Sequence, residues 1–205
     1  MQHIRPKTTE WFTYFPEDYR WSAAIGGMLG LAVVGASDMG EIDRTARKLK
    51  NKLGDDEAWF FTWQELGDEL KQKADDCRNR GHTISASVFY LRASCYYQWG
   101  ERFRTVKDDH ALNVYRKSVE CFHEHAQLSI SPKIEIVEVP YEGNFLPGYF
   151  VHAENTKKSK NPTMIFFDGL DITKELQYAR GVPELIKRGF SCLVMDGPGT
   201  GEAIR

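Results

Sequence analysis

The sequence predicts an α/β chain in which a helical part, residues 1–130, gives way to a strand-rich part, residues 131–205. Three observations carry this. Apolar residues recur at steps of three and four between Asp38 and Leu128, the spacing of one helix face. After Pro132 the spacing shortens to two, the period of a strand. Two short apolar runs, Thr163–Phe167 and Ser191–Met195, then flank a single helical stretch, so strand, helix and strand follow one another as a βαβ unit with parallel neighbouring strands.

Composition sets the outer limits. Hydrophobic residues make up 41% of the 205 positions and charged residues 27%, a balance that supports a packed core and excludes a disordered chain. The 27 basic and 29 acidic side chains leave a net charge of −2, so no global field draws nucleic acid or an anionic membrane. Cys77, Cys95, Cys121 and Cys192 are scattered without metal-ligand spacing, and Met1–Arg5 lacks the layout of a signal peptide, which together point to a reducing cytoplasm. No cofactor or metal site is expected. The partner expected is a small-molecule substrate, with room for a homodimer.

Taken in order, Ala23–Ala36 holds four glycines and falls short of the ~20 residues that cross a bilayer, so it reads as a buried, glycine-dented helix. Asp38 and Glu41 fit a capping arrangement for a helix with Ile42, Ala46, Leu49 and Leu53 on one face, ending at Gly54. A second helix starts near Asp55 or Asp56, sets Trp59, Trp63, Leu66, Leu70 and Ala74 together, and ends at Gly81, with His82 as the next cap. A third, Thr83 to Trp99, is apolar nearly all round and should be central. A fourth, Asp109 to Leu128, should pack against it through Leu112, Tyr115, Val119, Phe122 and Ala126.

In the second part, Ile134 to Val139 alternates with a phase slip that suggests a bulge, and Glu142-Gly143-Asn144 turns the chain into a hairpin with Leu146–Val151. The unbroken run Thr163–Phe167 suggests a strand covered on both faces. The helix from Thr173 to Arg188 should be interrupted at Gly181 and Pro183 and closed by Gly189. The strand ending at Asp196 should leave an open edge.

The most informative residues leave the carboxyl ends of the two parallel strands: Asp168-Gly169-Leu170-Asp171 with Thr173-Lys174-Glu175, and Asp196-Gly197-Pro198-Gly199-Thr200-Gly201-Glu202. Open α/β sheets bind ligands there, because the loops meet in a crevice. These two segments resemble α/β hydrolases of the fermentation-respiration-switch-like and dihydroxypseudooxynicotine-hydrolase-like group, which includes fungal pigment hydrolases that shorten polyketides. Gly40-Glu41-Ile42-Asp43-Arg44, Gly54-Asp55-Asp56-Glu57-Ala58-Trp59 and Tyr90-Leu91-Arg92-Ala93 resemble that group's N-terminal cap.

The resemblance implies a truncated α/β-hydrolase fold: a helical cap over residues 1–130, then the first strands of the sheet, hairpin plus βαβ, over residues 131–205. It implies serine-type hydrolysis of an ester or of a carbon–carbon bond next to a carbonyl, with the Leu170 backbone amide as an oxyanion-hole donor. No serine lies in a Gly-x-Ser-x-Gly. Ser37, between Gly35 and Gly40, precedes the sheet and suits a helix entry. Nucleophile, acid and histidine are therefore expected beyond residue 205, and the chain alone is expected to be inactive. Arg92 and Tyr97 are the candidate substrate contacts in the cap, although an aromatic stripe on a helix is ordinarily core. The alternative reading is a helical, tetratricopeptide-like interaction module. It leaves the βαβ part unexplained and lacks a clear period.

Overall fold

The computed structural model describes residues 13–156, 160–167, 169 and 171–204. Five helices form the first part: α1 (Tyr19–Gly30), α2 (Met39–Arg47), α3 (Asp56–Asn79), α4 (Thr83–Glu101) and α5 (Asp109–Leu128). Four of them start on an aspartate whose carboxylate accepts a first-turn amide: Asp18 from Trp21 (3.1 Å), Asp38 from Gly40 and Glu41 (2.8 and 3.1 Å), Asp55 from Ala58 (2.9 Å) and Asp108 from Ala111 (2.9 Å). His82 occupies the corresponding position before α4, but its side chain makes no capping bond. The helix after Asp38 is shorter than its apolar spacing suggests. It ends at Arg47, and turns carry Leu49 into the core while Leu53 stays exposed.

Helix α4 is central, as its all-round apolarity requires, and packs between α3 and α5. Close approach depends on missing side chains. A Cβ on Gly67 of α3 would lie 2.6 Å from Cδ1 of Tyr97, and one on Gly27 of α1 would lie 2.6 Å from Cη2 of Trp99. The core joins both parts: Phe122 of α5 stacks on Tyr149 of the sheet at 4.4 Å and meets Tyr178 edge-on at 5.1 Å.

The second part holds β1 (Ile134–Tyr141), β2 (Asn144–Val151), β3 (Thr163–Phe167), α6 (Lys174–Ile186) and β4 (Ser191–Met195), with strand order β1-β2-β4-β3. The β1–β2 register runs unbroken from Ile134 opposite Val151 to Tyr141 opposite Asn144, so the phase slip is not a bulge. Both faces of this edge strand carry apolar residues, and Glu142 and Gly143 make the two-residue turn with φ of 46° and 80°.

Three further expectations are corrected. Helix α6 runs through Gly181 and Pro183 without a break, held to the sheet by the buried Ala179, Val182 and Ile186. Strand β4 is interior rather than open-edged, because it pairs antiparallel with β2 and parallel with β3. The sheet's edges are β1 and β3, and at β3 Met164, Ile165 and Phe167 are exposed, so the run read as covered on both faces is the bare one. Apolar content cannot separate these two strands, since only their order in the sheet decides which has two neighbours.

Candidate active-site crevice

Strands β3 and β4 end side by side, Phe167 opposite Met195. The chain after β4 turns at once. The backbone N–H of Asp196 donates to the carbonyl of Pro147 on β2 (3.1 Å), and its carboxylate is buried at the head of α6. There it accepts the backbone N–H of Lys174 (2.9 Å), the backbone N–H of Glu202 (2.9 Å) and the Lys174 ammonium (3.1 Å). Thr173, which stands in the cap position of α6, turns its hydroxyl toward Gln98 of α4 instead. Asp196 thus caps α6 from the end of the neighbouring strand, placing negative charge where the helix amides converge.

Lys174 is 1% exposed. Its Nζ lies 2.8 Å from Glu175 Oε1, 3.1 Å from Asp196 Oδ2 and 2.7 Å from Glu202 Oε2, and 5.2 Å from the centre of the Tyr149 ring. Glu175, fully buried, also accepts from the Tyr149 hydroxyl (2.7 Å) and from Gln98 Nε2 (2.8 Å). Burial alone would discharge Lys174, but the three carboxylates outweigh it and hold its pKa above the ordinary lysine range. Burial pushes Glu175 up, and the Lys174 charge with three hydrogen bonds brings it below the usual carboxylate range. One ammonium cannot satisfy every neighbour, and Asp196, buried and beside Glu175, is pushed up.

Two cavities flank this cluster. One of about 330 Å³ lies between the end of α4 with its following loop (Gln98, Arg102, Phe103) and the loop before α6 (Asp171, Ile172, Thr173), and Gly201 also lines it. The Arg102 guanidinium crosses it to Asp171 (2.9 Å). The other, about 290 Å³, lies between α5 (Leu112, Tyr115, Arg116, Val119, His123) and Glu202. Burial and the Lys174 charge hold the His123 pKa below the ordinary histidine range. Among the described residues no group of three or more His, Cys, Asp or Glu side chains is placed to hold a metal ion.

A helical part laid over the carboxyl end of a mixed sheet in the order β1-β2-β4-β3 has close counterparts. The solved structure of a 2,6-dihydroxy-pseudo-oxynicotine hydrolase superposes with a TM-score of 0.68 at 24% identity, over 85% of this chain and 46% of that one. In sequence, the hydrolase LUC6 of a Fusarium species is 31% identical over 183 residues, 87% of this chain and 43% of its own length. The α/β hydrolase xenA of Xenoacremonium sinensis is 29% identical over 196 residues, 93% of this chain and 44% of that protein. The 20-hydroxy-prefusarin hydrolase FUS2 of Gibberella moniliformis is 27% identical over 183 residues. The chain is similar over most of its length to part of named α/β hydrolases, and its fold is that of a truncated α/β hydrolase. It spans under half the length of the relatives it matches, and no protein-family profile matches it. The likeness covers helices and sheet together, which sets aside the interaction-module alternative.

The placements bear on each residue singled out from sequence. Leu170 lies outside the described residues, although its neighbours Gly169 and Asp171 do not. Arg92 pairs with Glu41 (3.1 Å) and donates to the Gly35 carbonyl (3.3 Å), tying α4 to the start of α2. Tyr97 is buried, with its hydroxyl on Asp68 (2.7 Å). Neither borders the two cavities, whereas Phe103 and Glu101 of the same aromatic-rich stretch do. Sequence reading passed over Lys174, Glu175, Gln98 and Tyr149 as partners. The available signal was a lysine in the first turn of a helix, against the dipole, one βα unit before an acidic loop.

Among the described residues no helix is long and apolar enough to cross a membrane.

Proposed function

We propose that this chain is the cap and opening sheet of a serine-type α/β hydrolase that cleaves an ester, or a carbon–carbon bond next to a carbonyl, in a small organic molecule in the cytoplasm. Residues 1–130 serve as the cap and residues 131–205 begin the catalytic core. The observation that carries this reading is the crevice at the carboxyl ends of β3 and β4, roofed by the end of α4 and bordered by two cavities. The relatives add support, since they are hydrolases.

In this reading the loop after β3 lends the Leu170 amide to the developing oxyanion, a second amide follows the nucleophile, and the triad comes from sequence outside these 205 residues. Arg102 and Phe103, at the cavity wall, are the first candidates to meet substrate. Arg92 and Tyr97 would contact it only after giving up Glu41 and Asp68. A longer protein that joins this segment to a catalytic half should be labelled by a fluorophosphonate and turn over activated esters or β-diketones. The pure 205-residue chain should do neither. An unlabelled, inactive long form overturns the proposal, as does serine-dependent turnover by the short chain.

A further inference from the structure

The conspicuous side chains at the head of α6 and after β4 converge on one buried ammonium to which the chemistry above gives no task. A lysine in the first turn of a helix opposes the dipole, and burial opposes its charge. Its place therefore answers to its neighbours rather than to local helix stability.

Those neighbours all belong to different elements. Asp196 comes from the end of β4, Glu175 from α6, Glu202 from the loop after β4 and Tyr149 from β2. Gln98 of α4 reaches Glu175, and His123 of α5 lies near the Tyr149 ring, 5.8 Å between centres. The loop 197–202 turns on Gly199 and Gly201, whose φ values are +81° and +49°, and a Cβ on Gly201 would overlap the Asp196 carboxylate. Two bonds fasten the far end of this loop, Glu202 N–H to Asp196 and the Glu202 carboxylate to Lys174. Both run through the cluster, and the loop they hold borders both cavities, Gly201 lining one and Glu202 the other.

We propose that Lys174 is a positioning residue: its ammonium gathers Asp196, Glu175 and Glu202, sets the path of residues 197–202 along the walls of both cavities, and ties that path through Glu175 and Gln98 to helix α4. This concerns the shape of the crevice, so it stands or falls independently of the hydrolase chemistry.

The test is amide hydrogen exchange on the 205-residue chain, expressed as protection factors for Glu202 and Ala203, whose amides donate to Asp196 and to the Thr200 carbonyl, with α3 amides as reporters of the global fold. Lys174→Met should lower the loop protection about tenfold at neutral pH while α3 stays protected. Without the ammonium, the buried carboxylates have folded pKa values above their unfolded ones, and such groups stabilise when protonated. Acidification should therefore restore protection in the variant, and Asp196→Asn added to Lys174→Met should restore part of it at neutral pH. Wild-type protection in Lys174→Met, or a loss that neither acid nor Asp196→Asn relieves, overturns the proposal. If Lys174→Met does not fold, Glu202→Gln decides. It leaves Lys174, Glu175 and Asp196 in place and should still loosen the loop amides, and unchanged protection there overturns the proposal.

Discussion

Gly67→Ala should destabilise this protein even though alanine is the better helix former. Gly67 lies inside α3, where the exchange by itself gains roughly 1 kcal/mol of helix propensity. The new methyl, however, would stand 2.6 Å from Cδ1 and 3.0 Å from Cγ of Tyr97. To reach ordinary carbon contact of about 3.5 Å, ring and helix must part by nearly 1 Å. Tyr97 has nowhere to go: it is fully buried, and its hydroxyl donates to Asp68, which also accepts from Lys117 of α5 (2.7 Å). Displacing the ring disturbs three helices at once. Overpacking of this kind costs about 1–3 kcal/mol, so after the propensity gain the net effect is a loss of up to about 2 kcal/mol. Gly181→Ala in α6 is the control, because its methyl meets nothing within 4 Å and keeps the propensity gain. Urea unfolding of both variants, read by far-ultraviolet circular dichroism, should move the midpoints in opposite directions. A Gly67→Ala protein as stable as Gly181→Ala would refute the packing argument.

Two further outcomes follow from caps and buried titrating groups. Asp38→Ala removes the acceptor of the Gly40 and Glu41 amides and should cost about 1 kcal/mol in the same unfolding assay, with Asp38→Asn recovering most of it. His125 is buried with Nδ1 on Ser87, and burial lowers its pKa from 6.5 to about 4. The unfolded chain takes up this proton first, so stability should fall as pH drops from 6.5 toward 4, with a slope of up to one proton that His125→Gln removes. An unchanged slope in that variant would show that His125 titrates normally in the folded protein.

Much of this architecture was legible in the residues. Period 3.6 with aspartates before each apolar run located α2, α3 and α5, and Glu142-Gly143 located the hairpin, because these signals are local and act within a few residues of where they stand. The two glycine-rich exits from β3 and β4 marked the crevice for the same reason: parallel strands bring their following loops together whatever else the chain does.

What only the tertiary structure decided depends on partners far apart in sequence. Thr163–Phe167 and Ser191–Met195 are equally apolar, yet one is a bare edge and the other is interior, since strand order and not composition supplies neighbours. Arg92 and Tyr97 drew notice as polar groups on an aromatic helix, and their contacts with Glu41 and Asp68 emerge only when α2 and α3 dock on α4. The Lys174 cluster is the clearest case. Glu175 and Lys174 sit next to each other in the chain, but Gln98, Tyr149, Asp196 and Glu202 reach them from four other segments, and a charge that burial alone would extinguish persists because folding delivers all of them to one point.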